Sequence, residues 1–179
     1  IAMTALGTGI GSFHGIAIDG ALVQSRDGSI TLVGTGGPHS YNAGIFVYNG
    51  GQISSAAGVI VLTGTGGSGN YCHGVHLAIG QVVNTAGNIT ITGIGGGSGA
   101  ANDGIHLDAV GRILSLGIGN ITCSGSGNNY DLCVNAAGVI GSSQMQGAIV
   151  LNCDQLFLRG AIMTANDLTI QPVSIATSI

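Results

Sequence analysis

Five histidines, seven aspartates, three arginines and four cysteines are the side chains best suited to acid–base or metal chemistry, and their spacing decides their use. Two histidines recur in one context, Gly74-Val-His-Leu77 and Gly104-Ile-His-Leu107, and Asp131-Leu-Cys-Val134 continues it. If the copies stack, His76, His106 and Cys133 become neighbours, and adjacent imidazoles with a thiol are ligands for a transition metal. Ordinary outward-facing residues in a tolerant column explain the pattern more simply, so neither a metal nor a cofactor is expected. Catalysis by paired carboxylates needs two acids within several ångströms, one with a perturbed pKa. Asp19, Asp103, Asp108 and Asp131 fall in different copies with no basic partner columns, so no enzyme is expected. The glycine-rich stretches lack the lysine and following helix of a phosphate loop, and only Asp103 approaches the aspartate that calcium-binding nonapeptide turns require.

A disulfide needs Cα atoms within about 7 Å. The alternation puts Cys123 and Cys153 inward, Cys133 outward and Cys72 in a corner loop, which predicts four free thiols, two of them exposed.

What must position these groups is an internal repeat. Ile30-Thr-Leu-Val-Gly-Thr-Gly-Gly37 returns as Ile60-Val-Leu-Thr-Gly-Thr-Gly-Gly67, Ile89-Thr-Ile-Thr-Gly-Ile-Gly-Gly96 and, more loosely, Ile121-Thr-Cys-Ser-Gly-Ser-Gly127. Gly15-Ile-Ala-Ile18, Gly44-Ile-Phe-Val47 and the two histidine segments form a second block. Val23, Ile53, Val83, Ile113 and Ile140 anchor a third. Three short strands per period of about 30 residues predict an all-β chain, a parallel β-helix (β-solenoid) of about six three-sided coils. The coils fall near 1–28, 29–58, 59–87, 88–119, 120–147 and 148–167, with 168–179 starting another, all in a single domain spanning 1–179. Alternation turns Ile30 and Leu32, Ile60 and Leu62, and Ile89 and Ile91 inward as stacked ladders.

The chain contains 35 glycines and only 6% charged residues, where a typical domain has about 25%. Three scattered arginines against a net charge of -4 give no footprint for nucleic acid, and no apolar run is long enough for a membrane-spanning helix. The corner between the first and second strands varies most. Its loops, such as Gly64–Gly74, are expected to project or fold along the side and to be the place for recognition, with Tyr41, Phe46, Tyr48, Tyr71, His73 and Asn102 as binding residues. The outward face of the first strands carries Thr31-Val33-Thr35 and its copies, an array that also admits ice binding.

Gly87-Asn-Ile-Thr-Ile-Thr-Gly93, the Gly/Ser-rich stretch after it, Asn102-Asp-Gly-Ile-His-Leu107 and Asn166-Asp-Leu-Thr-Ile-Gln-Pro172 resemble repeats of filamentous-haemagglutinin-type bacterial surface proteins. The resemblance spans nearly the whole chain. It implies a right-handed β-helix that is exported and displayed as a fibre or adhesin. The expected function is therefore a non-catalytic structural segment of an extracellular or cell-surface fibre. The alternative is a module that binds surface glycans or host proteins through its corner loops. The apolar, strand-like ends Ile1–Leu6 and Val173–Ile179 carry no charged or helical cap, so the expected partners are identical subunits or flanking solenoid repeats.

Overall fold

The computed structural model describes residues 1–8, 11 and 13–173 of the chain, which among those residues contains strands and turns and no helix. The first two coils contribute β1 (Ala2–Leu6), β2 (Ile16–Asp19), β3 (Leu22–Ser25), β4 (Ile30–Thr35), β5 (Ile45–Tyr48) and β6 (Gln52–Ser55). The next two add β7 (Ile60–Thr65), β8 (Val75–Ala78), β9 (Gln81–Asn84), β10 (Ile89–Ile94), β11 (Ile105–Asp108) and β12 (Arg112–Ser115). Then come β13 (Ile121–Ser126), β14 (Leu132–Val134), β15 (Val139–Gly141), β16 (Ile149–Asn152), β17 (Leu156–Leu158), β18 (Ala161–Met163) and β19 (Leu168–Gln171). Every third strand joins the same sheet. One sheet has seven strands, β1-β4-β7-β10-β13-β16-β19, and the other two have six each, β2 to β17 and β3 to β18. All pairings are parallel, so the chain is a three-sided β-solenoid as its repeats predict.

Register follows the repeat like on like. Ile30, Ile60, Ile89, Ile121 and Ile149 stack in one row, with Leu32, Leu62, Ile91, Cys123 and Leu151 two residues on, and all of them are buried. β-branched residues suit a pleated surface with one face against the core, and here that face closes on the matching faces of the other two sheets. The rows Thr31–Val61–Thr90–Thr122–Val150 and Val33–Thr63–Thr92–Ser124–Asn152 run half-buried along the outside.

The third sheet departs from expectation at one rung. Ile53 pairs with Val82, which is buried, while Val83 pairs with Ser54 and faces outward. A coil one residue shorter shifts the count, and a one-residue slip exchanges the faces of a strand. The corner after this sheet is closed by a polar column, Ser25–Ser55–Asn84–Ser115. Asn84 is its fullest member: Nδ2 donates to the Gly58 carbonyl at 2.7 Å, and Oδ1 accepts from the amides of Ala86 and Gly87 at 3.2 and 2.8 Å.

At the corner between the first and second sheets, glycine is required by proximity. A Cβ on Gly34, Gly64 or Gly93 would overlap the carbonyl of Gly44, Gly74 or Gly104 beside it. Asp131 stands where those partners have glycine and holds the shortened corner. Its carboxylate accepts from the amides of Gly127, Asp154 and Gln155 at 2.9, 2.6 and 3.0 Å. The longer loops of this corner lie along the body and form a ladder of their own: the amide of Tyr41 donates to the Asn70 carbonyl at 2.8 Å, and that of Tyr71 to Ala100 at 3.0 Å. Of the segments expected to be open strand ends, 174–179 lies outside the described residues.

These contacts set a stability contrast. Gly64→Ala should cost about 3 kcal/mol through overlap with fixed backbone. Gly50→Ala, at φ 81° with nothing within 4 Å of the added carbon, should cost about 1 kcal/mol from backbone strain alone. Denaturant midpoints of the two variants check the order, and equal losses would contradict the close-approach account.

Candidate functional site

The outer face of the second sheet gathers four of the five histidines with Asp103, Asp108 and Cys133. Along its strands the outward column is Ala17, Phe46, His76, His106, Cys133 and Phe157. A second column stands beside it at the residue before each second-strand glycine, or before Asp131 in its place: His14, Ala43, His73, Asp103 and Tyr130. Its rungs are joined by amide–carbonyl bonds such as Gly44 to His73 at 3.1 Å and Gly74 to Asp103 at 3.0 Å. Because His73 and His76, like Asp103 and His106, are three residues apart across the corner glycine, the columns bring all four side chains together.

The centre of the group is Asp103, 1% exposed. Its Oδ2 lies 2.5 Å from His106 Nδ1 and 3.5 Å from His73 Nδ1, and its Oδ1 accepts from Asn129 Nδ2 at 2.8 Å and the Tyr130 amide at 3.0 Å. The other nitrogen of His106, Nε2, faces the Asn135 side-chain amide at 3.2 Å. Since that amide can only donate, Nε2 accepts and Nδ1 carries the proton given to Asp103. His73 Nδ1 accepts from the Asp103 amide at 3.2 Å. Nε2 of His76 is buried and has no hydrogen-bond partner. The ring centroids of His73, His76 and His106 lie 4.3 to 5.0 Å apart.

Burial dominates the protonation of this cluster. Loss of water holds His73 down to about 4, with neighbouring His106 adding to the effect and Asp103 opposing it. His76 is pushed well below the usual imidazole range by burial and by three neighbouring histidines. Burial alone would raise the Asp103 carboxyl. Hydrogen bonds from His106 and Asn129 and the nearby imidazoles outweigh it and hold the group below its ordinary value. The Cys133 thiol is pushed up to about 12 by burial and by Asp103 and Asp108.

Around the cluster lies a cleft of about 600 Å³. Aromatic rings line much of it: Tyr41 stacks on Tyr71 at 5.1 Å, Phe46 on His76 at 4.7 Å, and Tyr130 on Phe157 at 4.9 Å. Tyr41 and Tyr71 are 63% and 46% exposed and sit at φ 64° and 55°. A left-handed backbone is unfavourable for a bulky side chain, and such strain concentrates at functional sites.

The structure therefore brings Tyr41, Phe46, Tyr71, His73, His76, His106 and Cys133 to one cleft. Tyr48 stacks on Phe46 at 4.3 Å but does not line the cleft. Asn102 is wholly buried: its Oδ1 accepts from the Cys72 amide at 2.7 Å and its Nδ2 donates to the carbonyls of Gly69, Gly96 and Gly99, which ties successive loops. All four cysteines are free and buried, which corrects the expectation of two exposed thiols. Stacked loops cover Cys72, and neighbours on the cleft floor cover Cys133, although its side chain points out of the sheet. His14, Asp103, Asp108, Asn129, Tyr130, Asn135 and Phe157 also line the cleft without having been singled out as binding residues. Aligning the residue before each second-strand glycine would have placed His73 beside Asp103. Comparison of the chain with protein-family models, with curated proteins and with solved structures finds no match.

The depressed histidines give stability a pH dependence of defined sign. In the unfolded chain an imidazole takes up a proton near pH 6.5, whereas folded His73 does so only near 4. Between those values the unfolded state binds more protons, so stability is full above about 6.5 and falls as the pH drops towards 4, by about 1.4 kcal/mol per unit for each such group. Unfolding midpoints measured from pH 7.5 to 4 should decline, and His73→Asn should flatten the slope. An unchanged slope would contradict burial of a neutral His73.

Proposed function

We propose that this chain is a non-catalytic segment of an exported bacterial surface solenoid, of the filamentous-haemagglutinin type, whose second sheet carries a carbohydrate-binding cleft. The observation that carries this reading is the aromatic lining of that cleft. Sugar rings present apolar C–H faces that stack on aromatic rings and hydroxyls that need polar partners. Here Tyr41, Tyr71, Phe46 and Phe157 supply the faces, and Asn129, Asn135 and Asp108 supply the polar groups. The tyrosines sit on laddered loops and cost little entropy to hold in place. Glycan-array screening followed by titration calorimetry tests the proposal. Tyr41→Ala and Tyr71→Ala should each weaken a bound glycan about tenfold, the loss of about 1.4 kcal/mol of stacking. Absence of glycan binding, or affinity unchanged in the double variant, would overturn it.

A second reading, end-to-end association, is favoured by a separate observation. The ladder residues Met3 on β1 and Leu168 and Ile170 on β19 are 38%, 46% and 49% exposed, although their counterparts in inner coils are buried. Apolar rungs on an outermost strand offer both a hydrophobic surface and backbone groups to another coil. Sedimentation velocity should show association that rises with concentration and is suppressed by Ile170→Lys. A monomer at all concentrations would remove this reading and leave the cleft unaffected.

A further inference from the structure

We propose that His73, His76 and His106 form a binding site for one divalent transition-metal ion of the zinc type on the floor of the cleft. The three side chains come from the corners and strands of two adjacent coils, and one ligand nitrogen from each lies within 4.8 Å of the others. Around a tetrahedral zinc, nitrogens at 2.0–2.1 Å from the ion stand about 3.4 Å apart, so rotations of the rings about their side-chain bonds suffice to close the site.

Four features point to a cation rather than to a packed core. Nε2 of His76 is buried without a partner, a costly state for a polar atom unless something occupies its lone pair. His106 is oriented as a metal ligand would be, its Nδ1–H on the buried carboxylate of Asp103 at 2.5 Å and its Nε2 turned the other way. Carboxylate–histidine pairing of this kind fixes the tautomer and raises the basicity of the ligating nitrogen. Asp103 also supplies negative charge beside the cluster, its Oδ2 lying 3.5 Å from His73 Nδ1. Finally, burial keeps His73 and His76 neutral at pH 7, the form that binds metal. Entry is from the cleft, where Asn135 gives up its contact with His106 Nε2, and the cleft side leaves a fourth position for water or a ligand group.

A competing set, Asp103, His106 and Cys133, also has its ligand atoms within 4.8 Å of one another. It is disfavoured because Asp103 Oδ2 is already engaged by His106 and the Cys133 thiol holds its proton strongly.

The site is independent of what the cleft binds, and its test uses no glycan. The full chain, stripped with chelator and titrated with Zn²⁺ at pH 7.5, should take up one equivalent, and Co²⁺ should give the visible bands of a four-coordinate site. His76→Ala and His106→Ala should each weaken Zn²⁺ at least roughly tenfold, while His39→Ala and Cys133→Ser should leave it unchanged. Circular dichroism shows whether each variant is folded. Independently of any variant, Zn²⁺ should shift the imidazole nitrogen NMR signals of His73, His76 and His106 of the unaltered protein and leave those of His39 unchanged. No uptake by the folded chain, uptake lost in Cys133→Ser but kept in His76→Ala, or unshifted signals from the three histidines would each overturn the proposal.

Discussion

In-register parallel pairing of each strand with its own copy one coil away determines almost everything else in this molecule. Once Ile30 is bonded over Ile60 and Ile60 over Ile89, every other residue acquires neighbours fixed by the length of the coil, about 4.8 Å above and below. Hydrophobic ladders inside and chemical columns outside are two consequences of one register. The corner glycines keep that register exact: Gly64 and Gly74 pack backbone on backbone, so the second strand cannot drift relative to the first. A histidine on that strand is therefore held over the next histidine without any contact designed for the pair.

The same geometry explains the electrostatics. Stacking like on like piles imidazole on imidazole, which repel when charged, and burial beneath the aromatic rings removes the water that would soften the repulsion. One carboxylate, Asp103, follows His73 in the neighbouring column. It is accommodated by three hydrogen bonds, from His106, Asn129 and the Tyr130 amide. Of the seven aspartates in the chain, two, Asp103 and Asp108, line this one cleft.

The ladders of the first two sheets and the column through His76, His106 and Cys133 were legible from the repeat because its anchor residues are strongly apolar and evenly spaced. The third sheet was less so: its strands are short, and the coil holding Val82 is one residue short, enough to reverse the assigned face. The cleft was only half legible. Tyr41, Phe46, Tyr71 and His73 stood out by type, but Asp103 was judged by its distance from other carboxylates and not by the column it shares with His73. The burial of Cys72 and Asn102 depends on how loops stack, and that in turn depends on left-handed conformations at Tyr41, Tyr71 and Ala101, residues with no such signature.

The position of the cleft follows from changes in loop length along the axis. The connections between the first and second sheets run over 36–44, 66–74 and 95–104, then shrink to 127–131 and 153–155. The long loops add their own ladder beside the second sheet and raise Tyr41 and Tyr71 along one edge. Where they shorten, Asp131 takes over the corner, and Tyr130 and Phe157 lie low on the sheet. A uniform solenoid would present a flat face; a step in loop length converts that face into a concave one, and the step falls beside the coils that carry His73, His76, Asp103 and His106. Recognition in such a fold needs no separate domain, because subtracting a few residues from successive corners is enough to shape a site on a rigid wall.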